Sequence, residues 1–200
     1  MSTSTGRRTS SSTDLALVAT FAAFIGVCAI LPAIKGVANV PYTLQMFGIF
    51  LAAAVLGAKR GALAVLLYLA VATAGVPIFA QGAAGPGVWS GATGGYLLAF
   101  PIAAVLVGAV AQLVARRSPT AFVGVVSVAA AVVTVAVVGT LGTLGMARAL
   151  DVSLSVAWGY ATPFFVADVT KGIIAAIVAA AVHRAFPQLL RSTSSPLLRQ

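Results

Sequence analysis

Charged side chains are sparse along this chain, and their positions divide it into long apolar runs. Leu15–Ile34 lies uncharged between Asp14 and Lys35, and residues 36–58 lie uncharged between Lys35 and Lys59. No charge occurs between Arg60 and Arg116. Residues 118–147 form another run, and beyond Asp151 the chain stays apolar to His183 except at Asp168 and Lys171. A helix that crosses a bilayer needs about 20 mostly apolar residues. The Arg60–Arg116 stretch therefore holds two crossings and a loop. The loop is marked by Pro77, Pro86 and six glycines between Gly82 and Gly95, which is turn chemistry. The pattern predicts an all-α membrane protein with six transmembrane helices, the third over 61–76 and the fourth over 95–115. The connection 33–42, beside Pro32 and with Gly36, Asn39 and Pro41, reads as irregular.

Composition agrees with that reading. Of 200 residues, 60% are hydrophobic and 8% charged, against about 25% charged in a soluble domain. Such a chain cannot cover a soluble globule with polar side chains, which excludes a soluble enzyme, a disordered protein and a nucleic-acid module. Twelve Lys and Arg against three acidic residues give a net charge of +9. In an apolar chain that excess belongs in cytoplasmic loops. Placing the N-terminus inside collects Arg7, Arg8, Lys59, Arg60, Arg116, Arg117, Arg184, Arg191 and Arg199 on the cytoplasmic side, nine residues against Lys35 and Arg148 outside. Six crossings then leave both termini cytoplasmic. Residues 1–13, rich in Ser and Thr, read as a disordered tail, 14–187 as one membrane domain, and 188–200 as a basic tail drawn to anionic lipid.

Asp168 and Lys171 carry the most information. Three residues apart, they share a helix face, and ionisable groups inside a span are costly unless paired or turned to a polar cavity. Gly-Tyr-Ala-Thr-Pro at 159–163 suggests that the last helix starts near Pro163, which puts both charges in its first turns, in the outer half of the membrane. A buried ion pair that only packs helices is the competing reading. The outer loops carry Tyr42, Phe79, Trp89 and Tyr96 with Thr43, Gln45, Gln81 and Thr93. That mixture suits either the wall of a small-molecule pocket or an interfacial aromatic belt. Ala16, Ala19, Thr20 and Ala23 form small-residue patterns that let helices approach closely. Gly139, Gly142 and Gly145, every third residue, suit either close helix contact or a frayed end. Cys28 is alone and reads as a small core residue. His183, the single histidine, falls at the opposite end from Ser90, which rules out a Ser–His relay and a His-based metal cluster. Gly85-Pro86-Gly87 is no phosphate loop, since no Lys follows and Pro lacks an N–H.

Several segments together resemble the substrate-binding subunit (S component) of biotin energy-coupling-factor transporters. They are Val-Pro-Tyr-Thr-Leu-Gln-Met-Phe-Gly at 40–48, Leu-Gly-Ala-Lys-Arg-Gly-Ala at 56–62, Gly-Val-Pro-Ile-Phe-Ala at 75–80, Gly-Ala-Thr-Gly-Gly-Tyr-Leu at 91–97, and the Asp168–Lys171 pair. Ala92 departs from the family's usual Pro. The resemblance implies six helices, loops that cap the substrate from outside, and capture of biotin with no cofactor. It implies a prokaryotic cell membrane, and a transmembrane coupling protein with two ATPase subunits as partners, so the chain itself would not be an enzyme. It places Asp168 and Lys171 at the ureido group or the carboxylate of biotin, with Tyr96, Gly95, Thr43, Gln45, Thr93, Trp89 and Phe79 around the pocket, and the Ala16, Ala19, Ala23 face on the coupling protein. The third outer loop has no cation for the carboxylate, which leaves Lys35 or water. Another vitamin on the same fold, or a facilitator that works without ATPases, are the alternatives.

Overall fold

The computed structural model describes residues 11–31, 40–187 and 189. Lys35, Arg7, Arg8, Arg191 and Arg199, with most of both expected tails, lie outside the described residues. No strand forms among the described residues, and the apolar runs become helices. These are α1 (Ser11–Ile30), α2 (Gln45–Thr73), α3 (Gly94–Val114), α4 (Pro119–Val133), α5 (Thr140–Leu150) and α6 (Leu154–Ala185). A π-helical turn, Thr134–Gly139, joins α4 to α5, and two short 3-10 turns, Ala80–Gly82 and Pro86–Ser90, lie between α2 and α3. With α4 to α5 taken as one run, five helices are long and apolar enough to cross a membrane among the described residues. α1 begins at Ser11, so the end of the expected tail is helical.

α2 is continuous only in name. Gly57, at φ 80° and ψ −179°, is non-helical, and the two arms fold back on each other there. Gln45 Nε2 donates to the Tyr68 hydroxyl at 2.8 Å, whereas a straight helix would hold residues 23 apart about 35 Å from each other. An ideal Cβ at Gly61 would lie 2.8 Å from the Ala53 Cα. The two arms fall within the ranges expected for the second and third helices, here one element bent at Gly57. The turn rests on α3: a Cβ at Gly108 would meet the Gly57 carbonyl carbon at 2.6 Å, and Gln112 Oε1 accepts from the Ala58 N–H at 3.2 Å.

Along α4, the π turn and α5, buried residues recur every fourth position: Phe122, Val126, Ala130, Thr134, Val138, Gly142 and Met146. With 3.6 residues per turn, each such step drifts about 40° around an α-helix. The wider π turn removes part of that drift, so the buried stripe stays on the bundle from end to end.

Two expectations are corrected. The last helix does not start near Pro163. Ser153 caps it, its Oγ accepting from the Val156 N–H at 3.4 Å, and Pro163 lies inside it. A proline removes one donor, but an unwound segment facing lipid would orphan many more backbone groups. Asp168 is therefore the fifteenth of 32 helical residues, near the middle rather than in the first turns. Arg60, expected to face the cytoplasm as a loop charge, is 5% exposed. It pairs with Asp14 Oδ1 at 2.9 Å, donates to the Leu56 carbonyl at 3.2 Å and reaches the Leu189 carbonyl. It thereby ties α1, the α2 turn and the segment after α6 at one end of the bundle. His183 meets the Ala54 carbonyl at 2.9 Å at the same end.

Candidate functional site

The other half of the bundle holds a cavity of about 210 Å³. Four stretches of chain build it. Phe164, Asp168 and Lys171 fall at i, i+4 and i+7 on α6 and form one stripe. Thr93, Tyr96, Leu97 and Phe100 run from the residue preceding α3 along one face of that helix. Val40, Pro41, Thr43, Gln45 and Met46 close a third side, and the segment Phe79–Ala83 with Val88 covers the mouth.

Side-chain bonds fix the cover. Tyr42 stacks on Phe164 with ring centroids 4.0 Å apart and planes 11° from parallel, which pins the α1–α2 connection to α6. Thr43 Oγ1 accepts from the Gln45 N–H at 3.2 Å. Gln45 gives its amide to Tyr68, and the Tyr68 ring meets Phe79 edge-on at 5.8 Å. One chain of contacts therefore runs from α2 through its second arm to the covering turn. That turn closes through Phe79 N–H to the Ala83 carbonyl at 3.0 Å, and Gly85 N–H binds the Ala72 carbonyl at 2.9 Å. Gln81 sits there at φ 59°, exposed at the mouth.

The charged pair lies inside. Lys171 Nζ donates to Asp168 Oδ1 at 2.7 Å, and Asp168 is 8% exposed. Two charges midway along a membrane-length helix are costly to bury, so their placement on a cavity wall is the chemical signature of the site. Around them stand hydroxyls (Thr43, Thr93), an amide (Gln45) and aromatic faces (Phe79, Phe100, Phe164). The set offers a carboxylate acceptor and an ammonium donor between apolar walls, which suits a compact, flat solute with both donors and acceptors. No group of three or more His, Cys, Asp or Glu capable of holding a metal occurs among the described residues.

Of the nine residues expected around a pocket, the structure brings seven together: Asp168, Lys171, Tyr96, Gln45, Thr43, Thr93 and Phe79. Trp89 and Gly95 stand outside the wall. Trp89 turns its indole to the second arm of α2, donating to Thr73 Oγ1 at 2.9 Å. Gly95 is packed against α5, where a Cβ would lie 3.0 Å from Gly145 Cα. Met46, Phe100 and Phe164 add to the expected set; the i+4 spacing from Tyr96 marks Phe100 and that to Asp168 marks Phe164, while no such spacing marks Met46. Ala16, Ala19 and Ala23 are all exposed on α1.

A helical membrane protein with a cavity of apolar walls and a few placed polar groups under a loop cover is a solute-binding membrane subunit. Over residues 2–188 the sequence matches the profile of the BioY family, and the chain belongs to that family. The biotin transporter BioY of Rhizobium etli is 32% identical over 182 residues, covering 90% of this chain and 97% of the relative. The biotin transporter BioY of Rhodobacter capsulatus is 34% identical over 184 residues, covering 88% and 96%. The crystal structure of the S-component for biotin from an ECF-type ABC transporter superposes with a TM-score of 0.75, covering 86% of this chain and 92% of that one at 24% identity.

Proposed function

We propose that this chain is the biotin-binding S component of an ECF-type transporter, a transport subunit and not an enzyme. The observation that carries the reading is the Asp168–Lys171 pair on the wall of a covered cavity midway along α6. Biotin presents a ureido group with two N–H donors and one carbonyl acceptor on a compact bicyclic head. Lys171 engages Asp168 Oδ1 only, so Oδ2 accepts a ureido N–H while Lys171 donates to the ureido oxygen. Phe79, Phe100 and Phe164 take the apolar faces of the rings. A cavity of about 210 Å³ falls below the pockets of about 300–1,000 Å³ that hold drug-sized ligands, which favours a small bicycle over larger vitamins. The valerate tail leaves past Gln81 at the mouth.

The two arms of α2 count as separate crossings, giving six. The Arg60 end, with Lys59, Arg116, Arg117 and Arg184, is cytoplasmic by the positive-inside bias, and the cavity opens to the exterior of a prokaryotic cell membrane. The exposed Ala16, Ala19, Ala23 face of α1 docks on a transmembrane coupling protein that is driven by two ATPases. Supporting this are the small side chains, which allow close helix approach, and the position of α1, packed mainly on α2. The test is biotin binding by the purified chain in nanodiscs, with thiamine and riboflavin as competitors. Competition by either of those, or no biotin binding, defeats the proposal.

A further inference from the structure

Tyr96 lines the cavity and is 9% exposed, yet its hydroxyl is buried without a hydrogen-bond partner. No polar bond fixes the ring, so packing alone sets how far it reaches into the cavity. That packing comes from α5. An ideal Cβ at Gly142 would stand 2.5 Å from Tyr96 Cδ1 and Cζ, and closer still to Cε1. One turn on, α3 and α5 touch backbone to backbone: a Cβ at Gly145 would lie 2.6 Å from both Cα and N of Gly95. One turn earlier, Gly139 lies against Phe165 of α6, where a Cβ would meet Cε1 and Cζ at 2.9 Å. The π turn and α5 are thus held at three successive glycines: Gly139, the last residue of the π turn, against α6, and Gly142 and Gly145 against α3.

We infer that Gly142 is a positioning residue for ligand size: by lacking a side chain it lets the Tyr96 ring lie back against α5, and so sets the width of the cavity. A methyl there has two ways out. Moving α5 would break the Gly95–Gly145 contact and the Phe165 seat together. Moving the ring breaks no bond and has empty space on its cavity side. The ring therefore gives, and the cavity narrows while the bundle keeps its shape. The inference rests on the proposed function for the identity of the ligand.

The experiment compares biotin with desthiobiotin, which keeps the ureido ring but lacks the fused sulfur ring, by calorimetry in nanodiscs, with a melting curve for each variant. Gly142→Ala is expected to weaken biotin about tenfold, as an overpacked site does, and desthiobiotin by less. In a Tyr96→Val background the same change is expected to alter neither affinity. Gly124→Ala, whose Cβ meets nothing within 4 Å, serves as the neutral control. Unchanged affinities for Gly142→Ala, equal losses for both ligands, or the same loss in the Tyr96→Val background would show that α5 moves instead, and would overturn the inference. If Gly142→Ala alone does not fold, the paired variant decides: melting like Tyr96→Val supports the ring as the obstacle, and failure to fold overturns it. Absence of biotin binding by the unaltered chain defeats the proposed function and takes this inference with it. Binding by the unaltered chain together with any overturning result above defeats this inference alone.

Discussion

Asp168→Asn separates a ligand site from a packing device. The substitution keeps the side chain's shape and removes its charge. In the native site the carboxylate holds Lys171 Nζ at 2.7 Å and is 8% exposed. A hydrogen bond to a charged partner contributes about 1.5–3 kcal/mol and a neutral one about 0.5–1.5 kcal/mol. Exchanging one for the other at the ureido N–H therefore costs about 1–1.5 kcal/mol, a rise in Kd of about tenfold. Calorimetry in nanodiscs reads that change directly. The companion variant, Asp168→Leu with Lys171→Met, removes the pair and fills its volume. Replacing a buried pair with apolar groups is often neutral or stabilising, so its melting temperature is expected to hold or rise while biotin binding disappears. Asp168→Asn binding biotin as tightly as the native chain, or the apolar double variant retaining binding, would refute the assignment of these charges to the ligand.

Three further outcomes follow from the same geometry. Gly57→Ala places a Cβ at φ 80° and ψ −179°, 2.7 Å from the Gln112 amide; it is expected to cost about 1–3 kcal/mol in strain, read as a lower melting temperature, and an unchanged melt would contradict the hairpin turn. Arg60→Ala strands the carbonyls of Leu56 and Leu189 and frees Asp14; it should lower the melting temperature and speed proteolysis of the C-terminal segment, while biotin affinity at the far end of the bundle stays within about twofold, since distant sites act additively. Ala19→Trp on the exposed face of α1 should leave biotin binding intact and abolish uptake into cells that carry the coupling module; uptake at the native rate would remove that face from the docking surface.

Much of this architecture was legible because charge is scarce. The α2 turn and the α3–α4 and α5–α6 connections fell beside charges, and the Gly- and Pro-rich stretch 77–95 became the cavity cover and the start of α3. Pro163 misled because local propensity favours a helix boundary, whereas burial in lipid makes the unbroken helix the cheaper state. Arg60 was read as a loop charge because its partner Asp14 is 46 residues away, and no local pattern joins them. The same holds for Trp89: its type suits a pocket wall, but Thr73 claims the indole N–H. Phe100 and Phe164 were missed because aromatic residues in an apolar helix look alike whether they face lipid, core or cavity. Gly139, Gly142 and Gly145 left close contact and fraying both open, and the packing against Phe165, Tyr96 and Gly95 selects close contact.

The most direct measurement is a biotin-binding isotherm on the purified native chain without any partner subunit. Saturable binding at one biotin per chain is expected, lost in the Asp168→Leu, Lys171→Met variant although that protein still folds. A flat isotherm from a folded, monodisperse sample, or binding that survives removal of both charges, would contradict it.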